Sequence, residues 1–207
     1  MADLVLVRPM TRVAVQLILL QFLATHMDAR AIDCDHGISP NRAYKVRVAE
    51  TARTHAITYD LIERTTGKTL LRIPSSYQPD AGELQNWSWN HATDAEIRWS
   101  HSSHCLFIDE QVHNHIGEVF VVAVHGHQAK RVPLPERAIL QKSGHTWERH
   151  RIRVAEEYEG RDDVIALRIG GRVESDTPGT TVDRCFDFSV KLRHCQVVSI
   201  GPFRQVY

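Results

Sequence analysis

Along much of this chain apolar residues recur at every second position. Tyr44, Val46 and Val48 keep that spacing, and so do Ile57, Tyr59 and Leu61. Further apolar runs of strand length cover Glu96–Trp99, Leu106–Ile108, Val119–Val124, Arg151–Val154 and Val164–Ile169. From Cys185 to Cys195, Phe186, Phe188, Val190 and Leu192 alternate with Asp187, Ser189, Lys191 and Arg193. Period two places alternate side chains on opposite faces of a strand. β-branched and aromatic residues fill these runs, and Gly, Pro, Asn, Asp or Ser punctuate them. A sustained helical period is absent. Pro135–Lys142 alone reads as a short helix, with proline at its opening. The pattern predicts a mainly β protein, antiparallel meanders forming a blade-like or sandwich-like single domain over residues 32–207.

Two stretches share one plan. Residues 39–74 and 100–135 each run from a serine through a polar turn, a strand, a polar link, a second strand, a glycine turn and a short strand ending at proline. A third, weaker copy covers Arg149–Glu174. A single meander cannot bury its own face, so repeats of this kind pack on one another. The segments "ISPNRAYKVRV" and "IRWSHSSHCLFI", with "TGK" at Thr66–Lys68, resemble the strand-turn-strand units of WD40-like and TolB-like β-propellers. Both turns lack the glycine of that pattern, and a propeller takes at least four four-stranded blades. The resemblance therefore implies a small blade-like domain offering a binding or scaffold surface.

The first thirty-one residues read differently. Arg8 and Arg12 precede the apolar run Val13–Ala24, and Ala29-Arg30-Ala31 has small residues at its first and third positions. Such a run is shorter than the about 20 residues that span a bilayer. It has the form of a signal peptide, cut after Ala31. An uncleaved N-terminal anchor is the alternative. Asp33 beside Cys34 argues against lipidation there. The remainder holds no second apolar run of membrane length, so the mature chain is expected without a membrane span, in a periplasmic or secreted setting.

Export makes the cysteines informative. Cys34, Cys105, Cys185 and Cys195 allow three pairings. Cys185 and Cys195 end one strand-like run, roughly 33 Å apart when extended, whereas a disulfide needs Cα atoms within about 7 Å. They should not pair with each other. Each should pair with Cys34 or Cys105, or stay reduced.

Charge is balanced, with 25 basic and 25 acidic residues. No basic excess points to a nucleic-acid partner. "TTGKT" (Thr65–Thr69) lacks the upstream glycine of a phosphate-binding loop and reads as a β-turn. His113-Asn114-His115 reads as a polar hairpin tip. Trp87 and Trp89 fall on one strand face, as packing residues or as an aromatic platform for carbohydrate or peptide, and Asn86-Trp87-Ser88 is a formal glycosylation sequon.

One constellation suggests chemistry. If strands Cys105–Val112 and Glu118–Val124 pair so that opposed residue numbers sum to about 230, Cys105 faces His125. His101, His104, His125 and His127 would then gather at one end of the hairpin, where imidazoles could bind zinc and Cys105 could add a thiolate. On that register Asp109 and Glu110 lie at the far end. The sequence thus supports a non-catalytic binding or structural module for an unidentified protein, peptide or carbohydrate. A small metal-dependent hydrolase built on the four histidines is the rival.

Overall fold

A computed structural model describes residues 28–51, 56–76, 95–110, 118–155 and 158–206. Residues 1–27, Asn86, Trp87, Trp89, His113 and His115 lie outside them, so the apolar leader and the aromatic pair lie there too.

Among the described residues, twelve strands form three antiparallel sheets of four. Sheet 1 holds β1 (Asp28–Ile38), β2 (Tyr44–Thr51), β3 (Ile57–Glu63) and β4 (Thr69–Pro74). Sheet 2 holds β5 (Glu96–Trp99), β6 (Cys105–Asp109), β7 (Val119–His125) and β8 (Gln128–Val132). Sheet 3 holds β9 (Trp147–Val154), β10 (Val164–Glu174), β11 (Thr181–Arg193) and β12 (Gln196–Gln205). Every sheet is a plain up-down meander, because the connections are short and consecutive strands pair. The expected cut after Ala31 falls inside β1, where Ala31 pairs with Ala49 and Ile32 with Val48.

Sheet 2 lies between the other two, and its side chains serve two cores in alternation. Leu106, Ile108, Phe120, Val122 and Val124 pack with Val46, Tyr59 and Leu61 of sheet 1. Cys105, Phe107, Val119 and Val121 pack with Leu167, Ile169, Phe188 and Val190 of sheet 3. This explains why "LFI" and "VFVVAV" are continuously apolar: a sheet covered on both faces has no polar side. Each fully buried Phe or Leu here contributes roughly 1.5–3 kcal/mol through lost water contact. Alternation persists in β11, where Phe186, Phe188, Val190 and Leu192 are buried between more exposed neighbours, whereas β3 is buried along its whole length, Thr58 and Asp60 included.

A helix, α1 (Glu136–Ser143), follows Pro135 and ends at Gly144, whose φ of 75° lies in the left-handed region. Its Ile139 is buried in the second core.

Two turns are built alike. Before β2, the Ser39 hydroxyl accepts the Tyr44 N–H at 3.0 Å, and the Arg42 N–H donates to the Ser39 carbonyl at 2.8 Å. Before β6, the Ser100 hydroxyl accepts the Cys105 N–H at 3.0 Å, and the Ser103 N–H donates to the Ser100 carbonyl at 2.9 Å. Arg42 and Ser103 adopt φ of 59° and 64°, the backbone that glycine takes more easily.

Polar seams join the layers. The buried Glu110 carboxylate accepts the Tyr59 hydroxyl at 2.9 Å, the Ser76 N–H at 2.8 Å, and the hydroxyls of Ser75 and Ser76. Its neighbour Asp109 turns the other way and accepts the Val154 N–H of β9 at 2.8 Å. A disulfide between Cys105 and Cys195, with Cα atoms 5.8 Å apart, ties sheet 2 to the β11–β12 turn. Cys185 sits in mid-β11 and is unpaired, as is the buried Cys34 of β1. These two thiols stand on opposite sides of the central sheet.

Candidate functional site

The β6–β7 register differs from the expected one by two residues. Cys105 faces Ala123, not His125. His125 ends β7 beyond the last pair and meets Gln128 across a two-residue turn containing Gly126. The four histidines consequently separate into three places. His104 and His125 remain neighbours, with ring centroids 5.5 Å apart. His127 points to sheet 1, where its Nδ1 shares a hydrogen bond with Glu63. His101 is held by its N–H to the Gly160 carbonyl, and its ring lies against Gly160. Cys105 is committed to the disulfide. Among the described residues, no three His, Cys, Asp or Glu side chains are placed to hold a metal ion. Asp109 and Glu110 sit at the opposite end of β6 from His104, as the hairpin predicted.

An acid, a serine and a histidine do meet beside His101, in the wrong order for hydrolysis. Ser102 donates directly to Asp162, by its hydroxyl at 2.5 Å and its N–H at 3.1 Å. Burial pushes the Asp162 carboxyl up, but the Ser102 hydrogen bonds outweigh it and hold the group below its usual range. A triad needs imidazole between serine and acid to take the hydroxyl proton, and none stands there.

The outer face of sheet 3 offers a different arrangement, which sequence reasoning missed. β9 carries Arg149, Arg151 and Arg153 at alternate positions. Pairing sets Arg153 opposite Arg168 of β10, which faces Asp187 of β11, which faces Arg204 of β12. One step along, Arg151 faces Gly170, and Gly170 faces Cys185. A concavity of about 360 Å³ opens here, walled by Arg149, Arg151, Arg153, Arg168 and Arg184, with Asp183 as the acid in its lining. Gly171 brings β9 close: a Cβ there would lie 2.2 Å from the Arg149 carbonyl oxygen. The "GG" pair and the "RHRIRV" spacing were the available signals.

These arginines are not equivalent. Arg168 grips Asp187 through two nitrogens, at 2.5 and 2.9 Å. That grip, which outweighs burial, holds the Asp187 carboxyl below its usual range. Arg151 reaches Asp109 at 3.4 Å and the Glu110 carbonyl at 3.3 Å. Arg149, Arg153 and Arg184 make no ion pair among the described residues. On the floor, burial pushes the Cys185 thiol up in pKa despite Arg168 and Arg153, so it stays protonated and neutral.

No family model, no curated protein and no solved structure matches the chain. What the arrangement can do is therefore argued from its own chemistry. Arg149, Arg153 and Arg184, without an ion pair among the described residues, line a recess together with Gly170 and a neutral thiol. Such a surface attracts anions, and guanidinium forks suit carboxylate, phosphate and sulfate oxygens.

Proposed function

We propose that this chain is an exported, non-catalytic binding module that presents the outer face of sheet 3 to a negatively charged partner. The observation that carries the reading is the arginine-walled concavity, in a protein whose overall charge is balanced. Five guanidiniums line this recess against Asp183 and the Arg168-bound Asp187, and that local excess of positive charge favours an anionic ligand.

Three further observations support the setting. A disulfide persists in oxidising compartments and is rare elsewhere. Among the described residues no helix is long and apolar enough to cross a membrane. The matched Ser39 and Ser100 turns, each with a left-handed residue where the propeller-type pattern has glycine, support reading sheets 1 and 2 as copies of one blade-like unit. On that reading sheet 3 caps the stack and carries the ligand face.

The test uses a fluorescent heparin hexasaccharide as a polyanion probe. Wild-type protein should bind it, with affinity falling as salt rises. The double variant Arg149→Glu/Arg153→Glu should bind at least roughly tenfold more weakly, since two charge-assisted contacts become repulsions. Equal binding by the two proteins would overturn the reading.

A further inference from the structure

We propose that the Gly170 floor of the sheet 3 concavity is a seat for one tetrahedral oxyanion, the phosphate or sulfate ester of a small organic ligand. The inference rests on the binding reading above and narrows it to a ligand class. Three features point to a compact oxyanion in place of a diffuse basic surface. The concavity, about 360 Å³, has the size of a small-molecule site. Arg149, Arg151 and Arg153 come from one strand and Arg168 from the next, so donors approach from two sides of Gly170. The floor itself has no side chain at Gly170 and a neutral thiol at Cys185, so neither bulk nor negative charge repels an anion.

The polar groups divide the work. Arg168 is already oriented by its two-point grip on Asp187, and Arg151 is anchored by Asp109. They form fixed walls. Among the described residues Arg149 and Arg153 make no ion pair, so their guanidiniums are available to fold over a bound anion. Asp183 at the margin lies 3.9 Å from Arg172, which moderates its repulsion. Size leaves room beyond the oxyanion for the organic part of the ligand.

Gly170 supplies a test that separates binding from folding. A Cβ at Gly170 would lie 3.6 Å from the Cys185 sulfur, an ordinary contact. Valine favours strands where glycine weakens them, so Gly170→Val should fold at least as well as wild type while filling the seat.

Isothermal titration of the full chain with glucose 6-phosphate, glucose 6-sulfate and unmodified glucose makes the measurement. At least one ester should bind and glucose should not; which ester binds more tightly identifies the source of the oxyanion. Arg153→Ala should weaken the ester roughly 10- to 100-fold. Gly170→Val should abolish binding with an unchanged or raised unfolding midpoint. Failure of both esters while the heparin probe still binds would overturn the seat and leave the acidic-partner reading standing. Failure of esters and heparin together would overturn both. Ester binding undiminished in Gly170→Val would also remove the seat.

Discussion

Reducing the Cys105–Cys195 disulfide is the perturbation whose size follows most directly from the fold. The bond closes a loop of 90 residues between the start of β6 and the β11–β12 turn. Loop-closure entropy for that length comes to about 4.6 kcal/mol at 25 °C. For a domain of this size, each kcal/mol moves the unfolding midpoint by roughly 2–4 °C, so reduction should lower it by roughly 9–18 °C. The turn adds a second term of opposite sign. His194 and Cys195 both have positive φ, at 51° and 58°, which suits a two-residue hairpin turn but costs a non-glycine residue roughly 1 kcal/mol. Cys195→Gly should therefore be slightly more stable than reduced wild type. The assay is differential scanning calorimetry with and without dithiothreitol, alongside Cys195→Gly. A midpoint shift under about 3 °C on reduction would refute the view that this bond holds sheet 3 to the central sheet.

Three other outcomes are expected. Burial pushes the Asp109 carboxyl up to about 6, more than the Val154 N–H and Arg151 pull it down; a folded pKa above the unfolded one gives stability that is full below pH 4 and lost as pH rises through 6, about 3 kcal/mol in all. Asp109→Asn should flatten the stability profile between pH 4 and 7, and an unaltered profile would refute this. Asp60 is fully buried between Arg47, at 3.1 Å, and Arg72, at 2.7 Å; burial raises its carboxyl, but the two arginines outweigh that and hold it low. Asp60→Ala removes the carboxylate that both guanidiniums share and should cost about 3 kcal/mol in urea unfolding. Arg42→Gly removes a side chain at positive φ and should add about 1 kcal/mol.

Most of the fold was legible because its signal is local. Period two survives in the sequence wherever one strand face is wet, as in Tyr44–Val48 and Phe186–Leu192. Pro135 marked the start of α1. The strand argument correctly kept Cys185 from Cys195, because Cys185 lies mid-strand and Cys195 in the following turn. Less was legible where register decides. A shift of two residues leaves each side chain on its face, so no apolar pattern reveals it, yet it carried His125 past Cys105 and dispersed the four histidines. The arginine groove depends on three strands at once. Arg153, Arg168 and Asp187 are 15 and 19 positions apart in sequence and meet only through the β9–β10–β11 pairing. The continuous run in β7 reflected burial on both sides, a property of the sheet stack that no single strand displays.

Cys185 lets the central claim be tested at its own location. It lines the arginine groove and is partly exposed, whereas Cys34 is buried in the opposite core. The measurement is the rate of iodoacetamide alkylation at Cys185, followed by peptide mass spectrometry, with and without saturating heparin hexasaccharide. If the groove is the binding surface, the anion should slow Cys185 alkylation at least roughly tenfold, by mass action on the occupied site. An unchanged rate at Cys185, with the probe shown to be bound, would place the binding surface elsewhere and contradict the account.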